Sequence, residues 1–241
     1  NTFKMYRPTS FSQLPEVVKN LLIINGLFFL GTISLNNLGV DLTQILALHQ
    51  FQSANFMPHQ LITHFFMHAN LTHLLLNMFA LWMFGKILEN VWGGKRFLIY
   101  YMFTGLGAAA LHLAFSQYQI SELTNDMPGI LELAKKGLYN PGNANSLKLT
   151  QLVATPTVGA SGAVFGILLA FGMLFPNTLL YIYFAIPVKA KYFVIVYGLI
   201  EIYSGLSNNP GDNVAHFAHL GGMLFGFLII KYWQKNNTQF Y

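Results

Sequence analysis

The sequence predicts an all-α, polytopic membrane protein: a six-transmembrane-helix bundle with a membrane-associated first outer loop. Three observations carry this prediction, namely the composition, the length of the apolar stretches and the distribution of basic residues. Of 241 residues, 54% are hydrophobic and only 9% are charged, and the mean hydropathy is +0.47. Soluble domains carry about 25% charged residues. So few charges would cover a water-facing surface poorly, whereas a lipid-facing surface needs none.

Six stretches have suitable length and content for the roughly 20 helical residues that cross a hydrocarbon core. They are residues 18–35, 64–85, 97–116, 160–176, 190–206 and 214–232. Together they define a membrane domain over residues 18–232, with an N-terminal segment 1–17 and a tail 233–241. The first stretch lacks a cleavage site of small residues, so we expect a retained helix and not a signal peptide.

The basic residues favour one side of the membrane. Threading the chain through six crossings places ten of the 13 on the side of both termini and three in the long outer loop. The ten are Lys4, Arg7, Lys19, Lys86, Lys95, Arg96, Lys189, Lys191, Lys231 and Lys235; the three are Lys135, Lys136 and Lys148. This bias predicts cytoplasmic termini. Because topology explains the net charge of +5, no nucleic-acid partner is predicted.

Two connections stand out on the outer side. Residues 35–67 mix apolar and polar residues without Lys or Arg, which predicts a segment at the lipid interface. Residues 117–157 form the most polar long stretch, with turn signals at 140–143 and one short helix predicted at 130–138. We interpret it as an outer loop and not as a separate domain.

Polar residues in the second stretch form the first candidate site. They are His64, His68, His73 and Asn77. His73 and Asn77 are four residues apart, so they share one helix face. An imidazole and a carboxamide there can both donate hydrogen bonds to a developing oxyanion. Alternatively, they bond neighbouring helices together, and for the pair alone this structural reading is the favoured one.

Ser161 opens the fourth stretch between small residues, in the run 159–162 (Gly-Ala-Ser-Gly). A nucleophilic serine needs an exposed hydroxyl, and neighbouring glycines let a substrate backbone approach closely. The spacing of Gly162 and Gly166 also suits simple helix–helix packing. On this run alone, packing is the favoured reading.

The sixth stretch begins with a histidine-rich run of small residues, 215–222. The pair that ends it, Gly222 and Gly226, can pack against the two glycines of the serine helix, which would bring Ser161 towards His219. A histidine that merely caps the helix end is the alternative. Taken together, the three constellations lie at one depth, which favours one site over three coincidences.

In combination these motifs resemble the rhomboid family of intramembrane serine proteases. The matching pieces are residues 68–77 (HANLTHLLLN), 159–162 (GASG) and 218–222 (AHLGG) followed by Gly226. They occur in the family's order, on its second, fourth and sixth helices, so the resemblance covers roughly residues 18–232.

The resemblance implies a role for each matched residue. Ser161 would be the nucleophile and His219 the general base, as a dyad without an acidic third member. His73 and Asn77, with the Ser161 backbone N–H, would form the oxyanion hole. Of the two late histidines, the glycine spacing favours His219, and His216 is a neighbour or helix-entry residue. Residues expected to support the site are His68, Gly159, Gly162, Phe165 and Gly222.

Two positions depart from the family pattern. Rhomboids often carry a tyrosine four residues after the serine, on which the histidine stacks, and this chain has Phe165. Stacking survives this change but the hydroxyl does not. Some bacterial relatives carry a Trp-Arg pair in the first outer loop, where this chain has His59 and Gln60. This change affects contacts between the loop and lipid and not the chemistry.

The predicted function is therefore an intramembrane serine endopeptidase of the bacterial type, in a bacterial cytoplasmic (inner) membrane. The expected substrates are single-pass transmembrane proteins in the same bilayer. No cofactor and no metal are predicted. The chain has no cysteine, which excludes thiolate metal sites and a cysteine nucleophile.

Two other classes of protein are alternatives to this function. A catalytically inactive rhomboid-like protein that binds membrane helices usually lacks the serine or the histidine, and both are present here. A histidine-rich, metal-dependent membrane enzyme could use the pairs His64/His68 and His216/His219, whose spacings suit helical ligands. It would leave Ser161 unexplained.

Overall fold

The computed structural model describes residues 14–125, 129–182, 185–207 and 214–236. Over these residues the chain forms a bundle of helices, which confirms the predicted all-α, polytopic membrane fold. Residues 1–13 of the predicted N-terminal segment and 237–241 of the predicted tail lie outside the description. The long helices are α1 (Glu16–Asn36), α4 (Leu71–Trp92), α5 (Gly94–Asn125), α8 (Ser161–Leu174), α9 (Ala190–Ser207) and α10 (His216–Asn236).

The remaining elements are short. They are α2 (Leu42–Leu46), α3 (Gln60–Thr63), a 3-10 turn (His64–Phe66), α6 (Ile130–Lys135), α7 (Ala144–Ala154), and strands β1 (Leu179–Ile182) and β2 (Ile186–Lys189). The two strands pair antiparallel, with Leu179 opposite Lys189. This hairpin joins α8 to α9 and was not predicted. Helix α4 contains a π-helical turn at Leu81–Gly85.

Each long helix overlaps one of the six predicted stretches. Among the described residues, α1, α4 and α5 are long and apolar enough to cross a bilayer, and α8 is a shorter apolar helix. Helix α1 turns large apolar side chains outward, for example Leu27 and Leu30, both 61% exposed, as expected of a lipid-facing surface. Helix α8 is instead buried on nearly all sides, which suits a helix that is apolar all round.

Two predicted boundaries were wrong. Helix α4 begins at Leu71 and not near residue 64, because the Asn70 side chain caps it by accepting a hydrogen bond from the His73 backbone N–H (2.8 Å). In the predicted loop 117–157, α5 continues to Asn125, and the unpredicted α7 packs Leu149 and Val153 against buried residues of α5 and α6. The polar residue Asn143, interpreted as a turn signal, is the N-cap of α7.

Small residues hold α5, α8 and α10 in contact. A methyl group on Gly222 of α10 would overlap the carbonyl oxygen of Gly162 in α8, and a methyl on Gly226 would lie 3.4 Å from the Gly166 Cα. The predicted packing of these glycine pairs is therefore confirmed. From α5, the Tyr100 hydroxyl donates to the Gly166 carbonyl at 2.7 Å. This close approach brings the N-terminal ends of α8 and α10 together.

The first loop, residues 37–70, is tied to the chain just before α8. Leu48 and Thr157 exchange two backbone hydrogen bonds, of 2.9 and 2.8 Å. Inside the loop, Gln60 is fully buried. It accepts from the Met57 backbone N–H and donates to the Asn55 carbonyl. One of the two residues that depart from the family's Trp-Arg pair is thus a buried hydrogen-bonding centre of the loop.

Candidate active site

Ser161 is the first residue of α8, and the backbone just before it is conformationally constrained. The backbone of Gly159 has a φ of 118°, a conformation that residues with a side chain rarely adopt. Its N–H donates to the His64 carbonyl at 2.9 Å. The first loop and Gly159 together fix where α8 starts. The Ser161 backbone N–H belongs to the first turn of the helix, where N–H groups have no intrahelical acceptor.

The structure brings Ser161 and His219 together. His219 Nε2 lies 2.9 Å from Ser161 Oγ, although the two residues are 58 positions apart in the chain. The imidazole is only 8% exposed, and it stacks on Phe165 with ring centroids 4.0 Å apart and planes inclined by 7°. The stacking expected at Phe165 is therefore present. Ser161 and His219 form a hydrogen-bonded hydroxyl–imidazole pair held in one geometry.

The other nitrogen of His219 meets a carboxylate that the sequence interpretation overlooked. His219 Nδ1 lies 2.9 Å from Glu201 Oε2, and His216 Nδ1 lies 2.6 Å from the same oxygen. The expectation of an imidazole without an acidic partner was wrong in this respect. Glu201 belongs to the neighbouring α9 and not to the helices that carry Ser161 and His219. A signal was available, because Glu201 is the only acidic residue in the apolar stretch 190–206.

The His73 side chain lies against Gly159, in the segment that leads to Ser161. A methyl group on Gly159 would lie 2.7 Å from the Cε1 atom and 2.9 Å from the Nε2 atom of its imidazole. On the other side of the ring, the Ala69 backbone N–H donates to His73 Nδ1 at 3.4 Å. This bond leaves Nε2 as the nitrogen that carries the proton on the side of Gly159. His73 thus has a hydrogen-bond donor next to Gly159, two residues before Ser161.

Asn77 is buried one turn further along α4. Its side-chain Nδ2 donates to the His73 carbonyl at 2.9 Å. A carboxamide nitrogen has two N–H groups, so one hydrogen remains for another acceptor. The structure therefore places both predicted oxyanion residues on α4, with the His73 ring next to Gly159 and the Asn77 side chain hydrogen-bonded within its own helix.

Three further histidines surround the site. His68 is 6% exposed, its ring lies 5.2 Å from that of His73, and neither of its nitrogens has a partner among the described residues. Burial lowers the pKa of His68 to about 4, and that of His64 likewise to about 4. His112 of α5, which the sequence interpretation missed, bonds the Thr157 hydroxyl at 2.8 Å. Its only signal was a histidine in an apolar stretch.

A small cavity lies beside the serine. Its walls include His64, Thr157, Gly159, Ser161 and Ala218. Its volume of about 20 Å³ is enough for one water molecule. Hydrolysis needs such a water next to the hydroxyl, and apolar surroundings would otherwise exclude it.

The site also contains the one group of metal-ligating side chains found among the described residues. Ligand atoms of Glu201, His216 and His219 all lie within 4.8 Å of one another. The pairs His64/His68 and His216/His219, proposed for a metal-dependent enzyme, do not form one cluster. The same short distances describe a hydrogen-bonded network, in which one carboxylate oxygen serves two imidazoles.

The fold and the site define a class of protein. It is a membrane-embedded helix bundle in which a serine is hydrogen-bonded to a histidine where two helices meet. Comparison with known proteins gives the family. Residues 55–235 match the family model described as the Rhomboid domain. Because this match covers more than half of the chain, the protein belongs to the rhomboid family.

Curated relatives include organellar and bacterial proteins. The chain is 29% identical over 210 residues to RHOMBOID-like protein 12, mitochondrial, of Arabidopsis thaliana, covering 86% of this chain and 55% of that protein. It is 29% identical over 167 residues to Rhomboid protease AarA of Providencia stuartii, covering 68% and 51%. It is 25% identical over 174 residues to Rhomboid protease GluP of Bacillus subtilis, covering 70% and 24%.

The comparisons limit two of the predictions. The chain spans about half the length, or less, of these curated relatives. Several of the matched relatives are mitochondrial. The predictions of a bacterial type and of a bacterial inner membrane are therefore not supported, whereas an integral membrane location is.

Proposed function

We propose that this protein is a serine endopeptidase that hydrolyses peptide bonds in or near transmembrane segments of membrane proteins. Its rhomboid family membership supports intramembrane proteolysis, and two relatives carry the word protease in their names. The observation that carries the proposal is the 2.9 Å contact between Ser161 Oγ and His219 Nε2. A serine hydroxyl is a weak nucleophile until an adjacent base takes its proton.

The reaction follows acyl transfer chemistry. His219 Nε2 takes the Ser161 proton as Oγ bonds to the substrate carbonyl carbon, and the imidazolium then protonates the leaving amine as the C–N bond breaks. Water attacks the resulting acyl ester, giving up its proton to His219, and the serine is released. Histidine side chains have an unperturbed pKa near 6.5, which suits them to such proton exchange at neutral pH.

The oxyanion formed in each step needs hydrogen-bond donors. We assign this role to His73, Asn77 and the Ser161 backbone N–H. His73 presents its Nε2 side to Gly159, and Asn77 has one amide hydrogen not used in its bond to the His73 carbonyl. Ser161 opens α8, and the N-terminal end of a helix favours negative charge. Preorganised donors in poorly screening surroundings contribute strongly to rate.

Water must reach this site through protein. The cavity beside Ser161 accommodates one molecule, and His68 offers two unpartnered ring nitrogens nearby, among the described residues. We assign His68 a role in holding water for the deacylation step. Burial keeps the imidazole of His68 neutral, with its pKa lowered to about 4, so it can both donate and accept a hydrogen bond.

The proposed substrates are single-pass transmembrane proteins in the same bilayer. A peptide bond within a helix is shielded by its hydrogen bonds, so segments that open easily are favoured. The ten-to-three distribution of basic residues supports a six-helix domain over residues 18–232 with both ends on the cytoplasmic side. The proposed reaction uses groups of the protein and a water molecule, and it requires no cofactor.

The test is covalent labelling of detergent-solubilised protein with a fluorophosphonate, which reacts with activated serines. We expect labelling of the wild type and none of Ser161→Ala or His219→Ala. Ser116→Ala is the control, because Ser116 is a buried serine in the long helix α5, and this variant should label as the wild type does. Labelling that persists in Ser161→Ala would overturn the proposed nucleophile. A wild type that does not label would favour an inactive, helix-binding relative.

A further inference from the structure

Glu201 is a buried carboxylate in an apolar helix. Its residue is 6% exposed, and it lies on α9 between Ile200 and Ile202, whose side chains face outward. An ionised carboxylate is costly to bury unless charged or hydrogen-bonding partners compensate. The structure supplies two partners, His216 Nδ1 at 2.6 Å and His219 Nδ1 at 2.9 Å, both on Glu201 Oε2.

We propose that Glu201 is a positioning residue for the proteolysis proposed above: it holds the proton of His219 on Nδ1, so that Nε2 faces Ser161 with its lone pair. This inference rests on the proposed function. A neutral imidazole carries its proton on one nitrogen only. An acceptor at Nδ1 therefore determines that Nε2 is the basic nitrogen, the one that lies 2.9 Å from Ser161 Oγ.

The proton balance of the step is simple. The Ser161 Oγ–H proton moves to His219 Nε2 as the Oγ–carbon bond forms, and the imidazolium now has a proton on both nitrogens. Its Nδ1–H remains bonded to the Glu201 carboxylate, which gains no proton and stabilises the positive charge. When Nε2 protonates the leaving amine and the C–N bond breaks, the same neutral tautomer is restored.

The hydrogen bond from His216 holds the Glu201 carboxylate in place. His216 and His219 are three residues apart in the first turn of α10, so their side chains lie on one face. Both rings donate to one oxygen, and the bond from His216 fixes the carboxylate independently of His219. His216, interpreted from the sequence as a helix-entry residue, thus orients the group that orients the base.

Other titratable groups also face His219. They are His73 from α4 and His112 from α5, each close enough to interact electrostatically with the imidazole. Both are histidines, which carry no negative charge, so neither can stabilise an imidazolium as a carboxylate does. Among the described residues that face His219, the favourable negative charge comes from Glu201.

The experiment compares Glu201→Gln with the wild type in the full chain, using the rate constant for fluorophosphonate labelling as a function of pH. We expect a rate about 10- to 100-fold lower at neutral pH, less than the roughly 10⁴-fold loss from the corresponding amide substitution in a soluble triad. The loss should be smaller because Phe165 still holds the ring by stacking. Glu201→Asp, which keeps the charge, should restore part of the rate.

A pH profile separates positioning from simple stabilisation of the fold. Loss of the carboxylate removes a group that favours the protonated imidazole, so the acidic limb of the rate profile should move to lower pH in Glu201→Gln. Glu89→Gln is the matched control. Glu89 is also a buried glutamate, bonded to the backbone N–H groups of Val17 and Val18, and its substitution should leave the acidic limb where it is in the wild type.

The outcomes are distinct. Equal rates and equal acidic limbs in Glu201→Gln and wild type would overturn the positioning role while leaving the proposed function intact. Loss of wild-type labelling on treatment with EDTA, restored by Zn²⁺, would overturn it in favour of a metal centre. Should Glu201→Gln fail to fold, NMR of ¹⁵N-histidine in the wild type decides instead. A neutral His219 protonated on Nδ1 supports the role, and one protonated on Nε2 contradicts it.

Discussion

The imidazole of His219 lies flat on the ring of Phe165, with centroids 4.0 Å apart and planes 7° apart. Phe165 in turn stacks on Tyr197 of α9, at 5.2 Å and 9°. One face of the imidazole is therefore covered by aromatic carbon, and the ring is free to bond only in its own plane. In that plane it meets Ser161 at one nitrogen and Glu201 at the other.

Phe165→Leu tests whether the aromatic stack holds the base. We expect labelling by a fluorophosphonate to slow about 3- to 10-fold, in line with the roughly 0.5–1.5 kcal/mol typical of an aromatic pair. Phe165→Tyr keeps the ring and restores the family's usual residue, so its rate should stay within about twofold of the wild type, on the same scale. Equal rates in Phe165→Leu and wild type would show that stacking does not position His219.

Asn77→Ala tests the oxyanion hole. Removal of one such donor typically costs about 10²–10³ in rate, and we expect a loss of this size in labelling or in cleavage of a single-pass substrate. Asn25→Ala is a matched control, because Asn25 is also a buried asparagine that donates to a carbonyl of its own helix, Leu21 O at 2.7 Å. If the two variants lose the same rate, Asn77 acts through helix structure and not through the oxyanion.

The sequence predicted the six long helices because each combines length with apolar content. It also predicted that Ser161 and His219 meet, because paired glycines allow the two helices to touch. The contribution of Glu201 was missed, since it depends on which face α9 turns towards α10, and an 18-residue apolar helix has little amphipathic pattern to indicate this. Helix α7 and the β1–β2 hairpin were missed because their short sequences look like polar or mixed connections.

Gly222→Ala tests the contact that joins the two halves of the site. The added methyl would overlap the Gly162 carbonyl oxygen, and overpacking of this kind costs about 1–3 kcal/mol. We expect a lower melting temperature in detergent together with loss of labelling, since the shift separates α8 from α10.

Gly26→Ala is the control for this substitution. Gly26 is also inside a long helix, α1, but a methyl group there meets nothing within 4 Å. Alanine is the better helix former by about 1 kcal/mol, so this variant should be as stable as the wild type or more so. A Gly222→Ala protein that labels and melts like Gly26→Ala would contradict the close packing of α8 and α10.

His68 predicts an acid sensitivity of the fold. Burial lowers its pKa to about 4 in the folded protein, from 6.5, so below pH 6.5 the unfolded chain binds a proton that the folded chain does not. Stability should therefore fall as the pH decreases from about 6.5 towards 4, by at most about 3 kcal/mol from this residue. His68→Leu removes this contribution. Its melting temperature should decline less than that of the wild type between pH 7 and pH 5.

The same variant tests the water-holding role proposed for His68, because a leucine offers no hydrogen bond. Acylation does not consume water, so the burst of labelling should change little, whereas steady-state cleavage of a single-pass substrate should slow as deacylation becomes limiting. Unchanged cleavage in His68→Leu would remove His68 from the supply of water. An unchanged acid response would show that the buried imidazole is not what makes the fold sensitive to pH.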